Sequence, residues 1–227
     1  IESGELFKAI ENIETFAKAL SDETVAYLRT YPSRAPEAFK HMADQAELVS
    51  QKGINTADDL MTMFRDYEVM AETASVIPTK LLSQVFDQAD ELKRLGKLQQ
   101  LETLWRTSRT EVEKVVDDIG SSLDRVKAVI QSKTGLLTSK QQNALDALLL
   151  RNTARAQLRE QFLLADGRML DDFWALPRAA RTKEAHTALR AFRQENYLKF
   201  KNEDAVLGAG NFLERQSFAQ LYHGLPK

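Results

Sequence analysis

An all-α fold is what this sequence predicts, and three observations predict it. Glycine and proline number only 9 and 5 in 227 residues, well under the usual shares of about 7% and 5%, which leaves little material for turns. Apolar residues recur at three and four positions along almost the whole chain, the period of a helix face and not of a strand. Helix-start signatures, a hydroxyl or carboxylate with an acid or amide close behind, open several of these periodic stretches.

The first element is expected over 3–20, where Leu6, Phe7, Ile10, Ile13, Phe16, Ala17 and Leu20 draw one stripe. "SDET" starts a second helix, with Ser21 as cap and Asp22 and Glu23 at the positive end of the helix dipole. "YPSRAP" (31–36) breaks it, and a third helix runs from about Pro36 to Lys52, stopping at a left-handed Gly53. "NTADD" caps a fourth, with Leu60, Met61, Phe64, Tyr67, Met70 and Ala71 on its apolar side. Pro78 is expected to open a fifth helix that closes at Gly96.

Beyond Gly96 the spacing lengthens into a coiled-coil seam. Leu98, Leu101, Trp105, Ser108, Val112, Val115, Ile119, Leu123, Val126 and Ile130 alternate steps of three and four with one stutter. Such a helix is about 50 Å long at about 1.5 Å per residue, and Gly120 beside the stutter marks an expected bend. "SKTGLLTSKQQ" is the turn, in which Thr138 and Gln141 form a capping-box pattern. The next long helix carries Leu145, Leu148, Leu149, Asn152, Ala156, Phe162, Leu163, Met169, Leu170 and Phe173, and folds back antiparallel on the first. Pro177 is placed to begin a further helix to about Lys201, after which "LGAGN" (207–211) loosens the chain before a short stretch with Phe212, Leu213, Phe218, Leu221 and Tyr222. The expected architecture is an elongated helical bundle built on a long antiparallel hairpin, residues 97–132 against 139–174, with smaller flanking helices.

Charge divides the chain. Residues 1–72 hold 7 Lys and Arg against 14 Asp and Glu, residues 73–150 hold 11 against 10, and residues 151–227 hold 13 against 9. Three segments are expected on this basis: an acidic N-terminal helical subdomain (1–76), the long hairpin (77–176) and a basic C-terminal helical segment packed on the bundle (177–227). An acidic head and a basic tail can dock within one molecule or head to tail between molecules. No window approaches the roughly 18 consecutive apolar residues of a membrane span. A soluble chain is expected, with zero Cys suiting export and any targeting segment lying ahead of Ile1.

Motifs with catalytic mechanics are missing from the sequence. It contains no glycine-rich phosphate loop, no HExxH and no GxSxG, and Gly208 with Gly210 lacks the third glycine and the preceding strand of a dinucleotide site. Glu37, His41 and Asp44 share a helix face, yet no second Glu-x-x-His element faces them, so no metal is expected. The pairs Asp58 and Asp59, Asp117 and Asp118, and Asp171 and Asp172 diverge by about 100° on a helix, which suits capping or solvation better than shared acid and base work. No cofactor is expected.

Two stretches remain as candidate partner surfaces. Met61, Met63 and Met70 lie beside Phe64 and Tyr67, and flexible thioethers suit adaptable grooves, although the same residues also make an ordinary buried stripe. The segment "WALPRAARTKEAHTALRAFRQENYLKFK" (174–201) sets seven Lys and Arg against two Glu. On a helical wheel Lys183, His186, Arg190, Arg193, Tyr197 and Lys201 share one face, with Ala185, Ala188, Leu189 and Phe192 on the other side.

The expected function is non-enzymatic: assembly, adaptation or structural interaction through helical surfaces, with a protein partner or a second copy of the chain. Nucleic acid or an anionic membrane surface meeting the basic helix 177–201 is one alternative. An enzyme whose site is assembled from distant residues is another. The layout of long antiparallel helices with smaller appendages resembles that of helical components of secretion machines, virions and secreted effectors, a likeness of fold that does not fix function.

Overall fold

The computed structural model of the chain describes residues 22–223, with side chains from 23 to 208. The expected first helix over 3–20 lies outside the described residues. Six α-helices follow, with no strand among the described residues: α1 (Asp22–Thr30), α2 (Ala35–Lys52), α3 (Ala57–Arg94), α4 (Leu98–Ser132), α5 (Ser139–Ala175) and α6 (Lys183–His223).

Local chemistry sets several boundaries as expected. Thr56 accepts from the Asp59 amide at 3.2 Å while Asp59 accepts from the Thr56 amide at 3.0 Å, a reciprocal box that starts α3. Thr138 and Gln141 do the same for α5 at 3.3 and 2.9 Å. Gly96, at φ 68°, makes the turn between α3 and α4 in the left-handed region. Gly53 ends α2 but at φ −111°, so the expected left-handed stop is not used there.

Two expected breaks are absent, and at the first of them packing overrides the local signal. Pro78 lies inside α3, buried between Ile77 and Thr79. Its ring removes one backbone donor, yet Met70, Ala74, Ile77, Leu81 and Leu82 on both flanks serve the same buried face. The helix therefore crosses the expected boundary after residue 76 without interruption. At "LGAGN" α6 likewise continues to His223. Gly120 lies inside the unbroken α4, as expected for a long helix through the stutter. Pro177 precedes a 3-10 turn (Arg178–Ala180), and α6 begins at Lys183, where Thr182 accepts from the Ala185 amide at 3.3 Å.

The seam read along α4 is the core edge of that helix: Leu101, Trp105, Ser108, Val112, Val115, Ile119, Leu123, Val126 and Ile130 are buried and Leu98 is half-buried. Contacts fix the direction of each neighbour. Arg106 lies over the Trp174 ring at 4.2 Å, Arg109 pairs with Asp171, and Lys127 donates to Thr153 at 2.9 Å, so α5 runs antiparallel to α4. Phe173 packs on His186, Asp166 pairs with Arg193 and Asp204 with Arg155, so α6 returns antiparallel to α5. Phe86 with Tyr197 and Asp90 with Arg190 set α6 antiparallel to α3. Helices α3 to α6 thus form an up-down-up-down four-helix bundle, with α3 closest to α4 and α5 closest to α6. Outside it α2 lies along α4, held by Arg125 forked onto Asp44 and Glu47, and α1 lies against α3. One apolar core runs from Leu28 to Phe200.

Candidate functional site

The cationic stripe of α6 exists as a face, and its middle turns inward. Arg193 is 0% exposed; its Nε and Nη2 donate to the two carboxylate oxygens of Asp166 at 2.7 and 2.9 Å, and Nη1 donates to Ser108 Oγ at 3.2 Å. Arg190 is half-buried and forked onto Asp90 at 2.6 and 2.8 Å. His186 is buried, and Tyr197 stands edge-on to Phe86 with ring centroids 6.1 Å apart. Lys183 and Lys201 are the two members of the six that are exposed. On the other side of the helix Leu189 is buried, but Ala188 and Phe192 are exposed. A planar guanidinium facing a carboxylate on another helix is satisfied inside a bundle, so hydropathy alone assigns the wrong side to solvent.

The methionines fill the core. Met63 and Met70 are 0% exposed and Met61 packs partly buried against the same cluster.

Polar side chains collect in the bundle interior at two levels. Near one end the Trp105 indole donates to His186 Nδ1 at 3.0 Å, which places the imidazole proton on Nε2. That nitrogen is sealed from solvent without a partner. Burial lowers the His186 pKa from its ordinary 6.5, Glu102 pulling the other way and Arg181 adding to the fall. Farther along, Arg155 bridges Glu72 at 2.8 Å and Asp204 at 2.9 Å. Burial works against the Arg155 charge, but hydrogen bonds to Asp204 and Glu72 outweigh it and hold the pKa above the ordinary value. Beside it Arg159, also buried, donates to Ser75 Oγ at 3.3 Å, and Asn152 donates to Glu68 at 3.5 Å. Burial pushes Tyr67 above its ordinary range. Asp66, on α3, has its Oδ2 sealed and unpartnered; burial pushes its pKa up to about 7, with Arg65 pulling the other way.

A cleft of about 610 Å³ opens over this second level, between α4 and α5, with Tyr67 and Ala71 of α3 beneath it. Arg155 and Arg159 line it from α5, and Gly120 and Asp124 from α4.

Three of the acid groupings supply caps or ion pairs. Asp44 binds Arg125, Asp59 caps α3, Asp171 binds Arg109, and Asp117 and Asp118 are exposed. Among the described residues no three His, Asp or Glu side chains converge on a metal-sized site, and no helix is long and apolar enough to cross a membrane.

Sequence reading passed over Arg155, Arg159 and Asp166, and a signal for them was present. Asn152, Arg155, Arg159, Phe162, Asp166, Leu170 and Phe173 continue the three-and-four spacing of α5, so three charged residues occupy core positions. Charge at a seam position calls for a partner across the interface, and Glu72, Ser75, Arg193 and Asp204 supply it. Comparison with protein-family models, with curated proteins and with solved structures finds no match for this chain.

Proposed function

We propose that the chain works without catalysis, as a helical assembly or adaptor protein that meets another protein through the outward faces of α5 and α6. The observation that supports this reading is a set of large apolar side chains left more than half exposed on those helices: Leu150 at 71%, Leu164 at 64%, Phe192 at 56% and Val206 at 72%. Protein interfaces draw on such side chains, whereas polyanion binding draws on free cations. Here Arg190 and Arg193 are engaged by Asp90 and Asp166, which favours a protein partner, or a second copy, over nucleic acid or an anionic membrane.

Crosslinking in the native source, read residue by residue, tests this, alongside sedimentation of the isolated chain over a wide concentration range. The wild-type chain should give crosslinks to one partner, or to itself, concentrated on α5 and α6. A variant carrying Leu164→Ser and Phe192→Ser should lose them at unchanged helix content. Crosslinks scattered over all six helices, or complexes indifferent to the double variant, count against the proposal.

A further inference from the structure

Buried guanidinium groups in this bundle follow a rule, and one departs from it. Arg193 is forked onto Asp166, and Arg155 is held by Asp204 and Glu72. Arg159, 5% exposed, makes one hydrogen bond, to the Ser75 hydroxyl, and no direct ion pair among the described residues; burial lowers its pKa, although Asp204 and Asp124 favour its charge without touching it. A guanidinium has five N–H donors, and a buried charge is ordinarily paired. Its nitrogens are not among the sealed unpartnered atoms, and its side chain lines the cleft between α4 and α5.

The cleft has the form of a site. The antiparallel pair is tied at one end by Arg106 over Trp174 and by Arg109 with Asp171, and at the other by Lys127 with Thr153. Between these ties Gly120 contributes no side chain, and a Cβ built there meets nothing within 4 Å. The antiparallel register that joins these ties sets Gly120 opposite Arg159 and Glu160. Ala71, Val116, Leu123 and Ala156 give the walls an apolar character. At about 610 Å³ the space falls within the range of about 300–1,000 Å³ usual for small-molecule sites. Asp117, Asp124 and Glu160 also line it and are exposed; of the other cations that line it, Arg125 is held by Asp44 and Glu47, Arg155 by Glu72 and Asp204, and Lys127 donates to Thr153.

We propose that this cleft binds a small monocarboxylate with a cationic amine at its far end, the carboxylate pairing with Arg159 and the amine lying among Asp117, Asp124 and Glu160. A carboxylate matches the fork of N–H donors that Arg159 presents. With Arg125 and Arg155 already paired to carboxylates, the three acids outnumber Lys127 and Arg159 at the cleft, which disfavours dianions and polyphosphates and attracts an ammonium group. Binding here is a property of the isolated chain and does not rest on the protein partner proposed above.

Melting of the isolated chain, followed by circular dichroism, is measured against 5-aminopentanoate, pentanoate, glutarate and inorganic phosphate at matched ionic strength. A saturable rise in melting temperature is expected with 5-aminopentanoate, a weaker one with pentanoate, and none with glutarate or phosphate. Arg159→Met should weaken binding roughly tenfold or more, the loss expected for charge-assisted hydrogen bonds. Gly120→Leu should do the same by filling the open space, without lowering the melting temperature of the unliganded chain; it decides the matter if Arg159→Met fails to fold. No saturable shift with either monocarboxylate, a shift that survives in the variants, or stronger binding of glutarate or phosphate overturns the proposal.

Discussion

Removing Asp166 from beneath Arg193 is the sharpest test of the inward-facing stripe. Asp166→Leu leaves a guanidinium that is 0% exposed with the Ser108 hydroxyl as its remaining hydrogen-bond partner. Two charge-assisted bonds, at 2.7 and 2.9 Å, disappear, and breaking a buried pair from one side costs about 3–5 kcal/mol. For a chain of this size each kcal/mol moves the melting temperature by about 2–4 °C, so a fall of roughly 6–20 °C is expected. Replacing both partners, Asp166→Leu with Arg193→Met, restores an apolar contact of similar volume and should return stability to within about 1 kcal/mol of wild type, or above it. The coupling energy from the cycle should therefore reach about 3 kcal/mol. Urea unfolding followed by circular dichroism supplies all four corners. If Asp166→Leu costs less than about 1 kcal/mol and the two changes add, Arg193 is solvated and the orientation of α6 described above is wrong.

Two further predictions concern pH, with opposite signs. His186 has a folded pKa below its ordinary 6.5 because burial disfavours the imidazolium. Its stabilising contribution is thus present above about 6.5 and is lost as pH falls through the folded pKa. His186→Gln, which keeps an acceptor for the Trp105 indole but does not titrate, should flatten that loss in unfolding measured stepwise down the acid range; an unchanged slope would falsify the assignment. Asp66 has a folded pKa of about 7 against 3.8, so stability falls as pH rises from 3.8 through about 7. At about 1.4 kcal/mol per unit, Asp66→Asn should gain up to about 4 kcal/mol above that window and almost nothing below about pH 4. Equal gains at both ends in urea titrations would show that the burial of Asp66 is not what the gain reports.

What was legible in the sequence was mostly local. The cap in "NTADD" and the capping box at Thr138 need only a few consecutive residues, and both form, the first as a box between Thr56 and Asp59. The α4 seam was legible because its core edge is almost wholly apolar, and Ser108, its one polar member, is buried too. Pro78 misled because a breaking signal of one residue competes with a buried face that continues on both sides of it, visible in Ile77, Leu81 and Leu82, while at "LGAGN" the backbone stays helical despite two glycines. The stripe on α6 is legible as a face, but its burial is not: His186 and Arg193 are buried while Lys183 and Lys201 are exposed. Wheel geometry groups Arg190 with Arg193, but their partners lie far off in sequence, on α3 and α5. Arg159 and its cleft depend on three helices at once, which no periodic pattern in one of them reveals.

The three forks along α6 act mechanically as teeth. Arg190 engages Asp90, Arg193 engages Asp166, and Asp204 engages Arg155, at successive heights on one rod. A slide of one helical turn, about 5.4 Å, would disengage all three together and leave two buried pairs, those of Arg193 and Arg155, broken in the interior. A one-turn ratchet of one packed helix past another therefore costs this element all three contacts at once. Helix α6 is either seated at a single height or lifted away whole, so any force or partner that moves it must work as a clutch and not as a dial.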